Sequence, residues 1–407
     1  MAIELFGEVL IENGSTMNYS LLEKIIKRPF IKPRYRISVL NPDESVNYVI
    51  PDEDIPEDGI SYTENYQNGQ RRNITLKLIN KDKKYTPSIY GVWITTRFKL
   101  DIGIETSANN IIWFPRGLYI MGGVDLTSND SDKTVSIQLQ DKYAIFEGKT
   151  GTLDVAYEVE LGSDIEDAIR GILNFSMGNG YILDYKDIII DPSFVGMKTQ
   201  TTIRAEEGDT LNTIIDGLAT QLSAEYYYNN VGNLCFYPIN ETVNDDAKPI
   251  IWTFANLGRD LHNLNLAYQM ENVVNCVKVV GNNIDKGIYS AIVTNENPTS
   301  PICIQQIGKR IAPTYNSENV WNDELANDLA KYYLRKASFV AVDFNCNVSF
   351  NPVLSVNNVC EVEHDFLNLK RDKLLITSIS FTSDTGLMSI KFCNTQDLPF
   401  MTRYTKQ

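Results

Sequence analysis

LYIMGGVDLTSNDSDKTVSIQLQD, residues 118 to 141, and LLITSISFTSDTGLMSIKFCN, residues 374 to 394, share one pattern. Each is an apolar strand, a Thr-Ser turn containing Asp, and a second strand alternating towards a polar end; a small gap aligns them. Any two β-hairpins have a turn and two alternating arms, so the echo alone decides little. It is also what a chain with two copies of one barrel would carry.

The text around the first copy is strands and turns, from about residue 30 to 155. Residues 97 to 104, RFKLDIGI, set Phe98, Leu100, Ile102 and Ile104 against Arg97, Lys99 and Asp101, the period of two of a half-buried strand. In QRRNITLKLINKDKKYTP, residues 70 to 87, Ile74, Leu76 and Leu78 alternate before a turn of Asn, Asp and Lys that ends at Pro87. IIWFPRGLYIMGGV holds two apolar runs separated by Pro115 and Gly117, and TVSIQLQD alternates through Val135, Ile137 and Leu139. Short strands with turns every ten or so residues predict a small barrel or sandwich.

The middle differs in kind. Ser163 with Glu166 reads as a capping box before Ile165, Ala168, Ile169, Ile172 and Leu173. A second helix is expected from near Asp209, with Leu211, Ile214, Ile215, Leu218 and Leu222 inward, followed by a hairpin turning at Asn-Asn-Val-Gly. Strands return from about 268 in VVNCVKVVG, YSAIVTN and PICIQQIGKRI, and residues 317 to 337 have helical spacing with acids early and Lys331, Arg335 and Lys336 late. The expected fold is mainly β with an α+β insertion: a β-barrel unit over 1–155, an α/β unit over 156–250, and a second, similar β-barrel unit over 251–407 with helix 317–337 inserted.

The chain has 407 residues, 46.1 kDa, an apolar fraction of 43% and a net charge of −15. That charge repels a polyanion unless a basic patch is set apart, so no stable nucleic-acid binding is expected. Arg71 to Lys84 and Lys370 to Lys373 are the clearest basic runs, and both contain acids. All six cysteines (Cys235, Cys276, Cys303, Cys346, Cys360, Cys393) fall in the C-terminal half without CxxC spacing, which suits buried thiols in a reducing compartment. Glu4, Glu8 and Glu12 break up the apolar N-terminus, so no secretory signal is expected, and no window of about 18 uncharged apolar residues predicts a membrane segment.

Chemistry has little to draw on. There are two histidines. His262 sits in a polar linker, and a strand through Cys360, Val362 and His364 would turn Glu361, Glu363 and Asp365 to the opposite face. GxSxG, P-loop, HExxH and GxGxxG motifs are absent. Paired carboxylates for glycoside hydrolysis cannot be singled out among 52 acids. EEGDTLNTII resembles the start of a LysM repeat, but Asp209 and Thr210 serve equally as helix caps and YYYNNVGNLCFYPI does not continue that repeat. Tyr226, Tyr227 and Tyr228 alternate faces in a strand, so at least one should be exposed. No catalytic, cofactor-binding or metal-ligating residue is named, and no cofactor is expected.

RRNITLKLINKDKKYTP, RFKLDIGIE and IIWFPRGLYIMGGVDL, in that order, resemble the N-terminal barrel of bacteriophage tail hub proteins. That family includes the baseplate hub of contractile tails, the tail-associated proteins of Gram-positive siphophages and the hub half of type VI secretion spikes. TLNTIIDGLATQLSAEYYYNNVGNLCFYPI is similar to its middle segment. ENVVNCVKVVGNN, SPICIQQIGKRI, the helix at 317 to 337 and VLSVNNVCEVEHDFLNLKRDKLLITSISFT are similar to its second barrel. The resemblance spans about residues 30 to 395.

It implies a non-enzymatic assembly protein, a homotrimer whose two barrels per subunit make a pseudo-sixfold ring. The implied partners are a tail tube or distal tube-terminating protein on one side and a central spike or fibre on the other. The implied place is a virion tail, after synthesis in host cytoplasm. Relatives often carry a C-terminal peptidase or lysozyme domain, whereas KFCNTQDLPFMTRYTKQ directly follows the second barrel here. On this reading Arg71, Arg72 and Lys81 to Lys84 are sheet edge and hairpin tip facing a neighbour or solvent, and an acidic ring would line the channel and let DNA slide. Rival readings are a distal tail protein ring, a tail-tip carbohydrate-binding module using Tyr226 to Tyr228, and a hydrolase.

Overall fold

Alternating sequence becomes strand because each strand buries one side chain in two. The structure is a computed structural model that describes residues 10–11, 31, 33–88, 92–105, 111–128, 133–149, 151–176, 181–239, 250–255, 261–269, 273–283, 287–298, 300, 302–317, 319–337, 341–367 and 369–394. The stretch with Glu4 and Glu8, Glu12, the Asp-containing turn at 129–132 and the tail after 394 lie outside them.

The first β unit holds β1 (Leu10–Ile11), β2 (Pro33–Leu40), β3 (Val46–Val49), β4 (Ile60–Asn65), β5 (Arg72–Ile79), β6 (Arg97–Glu105), β7 (Ile111–Ser128) and β8 (Lys133–Asp141). Their spatial order is β4-β5-β8-β7-β6-β2-β3, with β1 beside β7. Ile74, Leu76 and Leu78 of β5, and Phe98, Leu100, Ile102 and Ile104 of β6, are fully buried, as their alternation requires.

The second β unit is built from β14 (Ile250–Ala255), β15 (Leu261–Gln269), β19 (Ala341–Ser349), β20 (Val359–His364), β21 (Leu369–Thr382) and β22 (Leu387–Asn394). Its order is β14-β20-β21-β22-β19-β15. Numbering the six principal strands of each unit along the chain, with β2, β4, β5, β6, β7 and β8 in the first, gives the order 1-4-5-6-3-2 in both. The fifth strands even carry the same bulge, between Met121 and Gly123 in β7 and between Ile376 and Ser378 in β21. The units differ where strand 1 meets strand 4, antiparallel in the first and parallel in the second.

Among the described residues neither unit closes into a barrel. β4 instead gives its outer edge to β21, from Ser378 opposite Asn65 to Thr382 opposite Ser61, which makes one sheet of fourteen strands. An edge strand satisfied by another unit has no unpaired backbone left to close its own. The buried face is continuous across this joint. Phe381 stacks on Tyr62 with ring centroids 4.7 Å apart, and Phe350 meets Phe381 edge-on at 5.2 Å.

Between the units lie β9 (Tyr157–Val159), α1 (Ile165–Leu173), β10 (Ile189–Ile190), β11 (Ile203–Ala205), α2 (Asn212–Leu222), β12 (Ala224–Tyr228) and β13 (Leu234–Pro238). Ile165, Ile169, Ile172 and Leu173 of α1 are buried, as are the five apolar residues expected from Leu211 to Leu222. The caps differ from expectation. Asp164, not Ser163, accepts the N–H groups of Glu166 and Asp167 at 3.0 and 3.2 Å, because it stands immediately before the first helical residue. Asp209 binds the N–H of Glu206 at 2.8 Å and closes the preceding turn, so α2 starts three residues later without a side-chain cap. The hairpin turns at Asn229 to Asn233, and Gly232 there has φ +88°; a Cβ would stand 2.6 Å from a Leu118 methyl of β7.

Inserted between β15 and β19 are β16 (Cys276–Asn283), β17 (Gly287–Thr294), α3 (Ile304–Ile307), β18 (Tyr315–Ser317) and α4 (Asp323–Ala337). PICIQQIGKRI, expected as a strand, contains the single turn α3, with Gly308 at φ +75° ending it. The helix expected over 317 to 337 begins at Asp323, since Ser317 ends β18 beside Gly281. Its Leu325 and Leu329 pack on Val277, Val279 and Val320, and Tyr333 stacks on Tyr315 at 4.0 Å.

Candidate functional site

Three parts of the fold meet around a set of buried charges. Glu64 is the penultimate residue of β4 and Arg72 begins β5, so the pair faces across one antiparallel rung, with Arg72 Nε donating to Glu64 Oε1 at 3.0 Å. Tyr62 donates to the other carboxylate oxygen at 3.0 Å, and Arg116 Nη1 lies 3.7 Å from it. Arg116 stands inside the apolar run of β7, and Gly117 at φ +117° turns the strand beside it. Its guanidinium reaches the second unit, donating to Ser355 Oγ, Pro352 O and Leu354 O at 3.0, 2.8 and 2.6 Å. The sheet joint is therefore locked by polar as well as aromatic contacts.

The hairpin β12–β13 plugs into the same junction. Arg72 Nη1 donates to Tyr228 O at 2.9 Å. Glu225 gathers donors from both β units: Arg71 Nη2 at 3.3 Å, Tyr66 Oη at 3.1 Å and Asn357 Nδ2 at 3.0 Å. Arg71 also lies over the ring of Tyr227, 3.6 Å from its centroid. Asp141, at the end of β8, accepts the backbone N–H groups of Arg71 and Arg72 at 2.7 and 2.9 Å. Lys142 is wholly buried between Glu44 and Asp184, and Tyr228 donates to Asp184 at 2.6 Å.

Electrostatics follow from burial and pairing. Burial opposes the charge of Arg72, but Glu64, Tyr62, Tyr119 and Asp141 outweigh it and hold the guanidinium protonated more firmly than usual. Burial pushes the Asp141 carboxyl up, against the downward pull of Arg72 and of three backbone N–H groups. Tyr62 and Tyr228 are raised by burial first and by the carboxylates beside them second. These groups bind one another, and their pairing fixes a docking geometry.

Arg71 and Arg72, expected at a sheet edge facing a neighbour or solvent, are 2% and 3% exposed and fasten the middle unit to the sheet. Lys81 to Lys84 do form an exposed tip, where Lys84 pairs with Asp54 at 3.2 Å. Of the three tyrosines expected to leave one exposed, Tyr226 and Tyr228 are buried and Tyr227 is half-buried under Arg71. Cys235, Cys276, Cys303, Cys346 and Cys360 are buried thiols. His262 Nε2 lies 3.0 Å from Ser349 Oγ, and among the described residues no group of three His, Cys, Asp or Glu could hold a metal ion. Sequence reading missed Glu64, Arg116, Lys142 and Glu225; the available signal was a charge standing inside an apolar strand, clearest for Arg116.

The face of the sheet opposite the core is amides and hydroxyls. Thr75 donates to Gln138 at 2.9 Å, Ser378 to Asn65 at 2.8 Å across the joint, and Ser389 to Asn347 at 2.8 Å. Lys77, paired with Asp58 at 3.0 Å, and Lys391 rise from it, and Asp125 lies on the same face. Two shallow grooves lie at matching places, one against Asn73, Gly123 and Gln138, the other against Asn345, Ser378 and Lys391.

Known folds resemble this one, although no family model matches the sequence. No curated protein matches it either. The 43 kDa tail protein of prophage MuSo2 from Shewanella oneidensis superposes with a TM-score of 0.55 at 14% identity, covering 89% of this chain and 99% of that one. The tail protein from Neisseria meningitidis MC58 gives 0.56 at 11%, with the same coverage. A chain of the PdpA-VgrG complex in its lidless form gives 0.51 at 12%, covering 93% of this chain and 68% of that one. At these identities the likeness is one of fold.

Proposed function

We propose that this chain is the structural baseplate hub protein of a phage or phage-like tail. Three copies form a pseudo-hexameric ring that adapts a sixfold tail tube, or a distal tube-terminating protein, to a threefold central spike or fibre. The observation that carries this reading is the repeated strand order 1-4-5-6-3-2, because two alike units in each of three subunits present six alike faces. Its fold is that of tail proteins, and one such fold occurs in a complex with VgrG. The units are taken as 1–155, 156–250 and 251–407. The buried charges at their meeting point have an assembly role, holding the two β units and the hairpin in one orientation.

The protein acts in the virion tail without catalysis, cofactor or metal. A glycan-binding module is less favoured, because Tyr226 to Tyr228 are turned into the fold. A distal tail protein would instead close as a ring of six copies. Light scattering across a concentration series separates the readings: three times 46.1 kDa supports the hub, six times supports the distal ring. A mass that remains that of one chain at every concentration counts against both.

A further inference from the structure

The joint inside the chain predicts the joint between chains. Aligning the shared bulges sets Gly123 to Thr127 of β7 on Ser378 to Thr382 of β21, a constant offset of 255 residues. The ladders carry the match across the sheet. β8 falls on β22, β5 on β19, and Ser61 to Asn65 of β4 on Asn265 to Gln269 of β15. Even the end of the neighbouring ladder agrees: β20 stops pairing β21 at Leu375, and β6 stops pairing β7 at the equivalent Ile120.

One edge differs. Beyond Leu375, β21 pairs β4, whereas beyond Ile120 no described strand pairs β7 on that side. β15 likewise pairs β19 alone among the described strands. Leu126, the equivalent of Phe381, is 56% exposed, whereas Phe381 is buried against Tyr62. A long edge with an exposed leucine invites another strand.

We infer that β15 of a second copy of this chain adds antiparallel to residues 123–127 of β7, repeating between subunits the β4–β21 joint. The register places Gly123 opposite Gln269, Val124 opposite Tyr268, Asp125 opposite Ala267, Leu126 opposite Leu266 and Thr127 opposite Asn265. Leu126 and Leu266 then take the places of Phe381 and Tyr62, and Asp125 and Thr127 join the polar face. The contact is head to tail, because each copy offers one β7 edge and one β15 edge, and such contacts close into rings. The inference rests on the hub reading and supplies its subunit interface.

The test mixes two singly substituted full-length chains, Asp125→Cys and Ala267→Cys, under oxidising conditions. Directly opposed residues on antiparallel strands stand within disulfide reach. A disulfide-linked heterodimer is expected from the mixture and not from either chain alone, and the doubly substituted chain should give a covalent trimer. Asp125→Cys with Leu266→Cys, one residue out of register and on the opposite face, should not link. A trimer by light scattering in which the in-register pair fails to link overturns this interface and leaves the ring. Uncrosslinked monomers at the highest attainable concentration overturn both.

Discussion

Arg72 and Glu64 face each other across neighbouring strands with 3.0 Å between Nε and Oε1, and neither side chain is more than 4% exposed. Two arginines share that carboxylate, since Arg116 stands 3.7 Å from its second oxygen. Removing the acid strands both guanidiniums in the interior. Glu64→Ala should therefore cost about 3–5 kcal/mol, the range for breaking a buried pair from one side. Glu64→Leu with Arg72→Met should recover part of the loss and no more, because Arg116 remains. Urea unfolding midpoints of the native chain and the two variants check the ordering.

Glu225 matters for a different reason, because its donors come from both β units. Glu225→Ala leaves Arg71, Tyr66 and Asn357 without their acceptor, at about 1–3 kcal/mol for each buried group that finds no new partner. The loss should fall on docking, so limited proteolysis is expected to cut the linkers around the middle unit faster in this variant. The far-ultraviolet dichroism should be retained. Glu225→Gln keeps an acceptor oxygen and should lie between the two.

High pH should unfold the protein in one steep transition. Burial pushes the thiols of Cys235 and Cys346 up to about 12 and that of Cys360 further, and it raises Tyr62, Tyr119, Tyr143 and Tyr228 as well. The unfolded chain ionises its cysteines near pH 8.5 and its tyrosines near 10. The folded state holds these groups neutral. Their contribution is complete below the unfolded values and is lost as pH climbs from about 8.5 towards the raised folded values. Tyrosinate absorbance of the native protein should lag behind a tyrosine model at pH 10 and jump at the unfolding pH. The buried thiols should resist alkylation until that jump.

The β units were legible in sequence because a period of two survives any tertiary arrangement. Ile74, Leu76 and Leu78 point inward wherever the sheet is placed. Order along the chain also carried the resemblance to tail hub proteins. What the sequence hid depends on contacts between residues far apart in it. Arg71 and Arg72 look like a solvated rim until Glu225, 154 residues away, and Asp141 are brought to them. That neither unit closes as a barrel among the described residues was hidden for the same reason, since it depends on β4 meeting β21. The cap of α1 was a local error. Ser163 and Asp164 are both good N-cap residues, and the one next to the first buried turn position won.

Phe381 and Leu126 occupy equivalent positions on the two fifth strands and should respond oppositely to truncation. Phe381 is 5% exposed and touches Tyr62 and Phe350, so Phe381→Ala opens a cavity at the internal joint and should cost about 3–5 kcal/mol in the isolated chain. Leu126 has more than half its surface in solvent, and Leu126→Ala should change the stability of the monomer by less than about 0.5 kcal/mol. If its surface is covered by Leu266 of a neighbouring copy, the substitution should instead raise the concentration needed for assembly. Thermal unfolding of dilute protein reads the first effect, and light scattering against concentration reads the second. A Leu126→Ala chain that assembles as readily as the native one would mean that the exposed leucine is ordinary surface, and that the symmetry of the two units stops at the boundary of the chain.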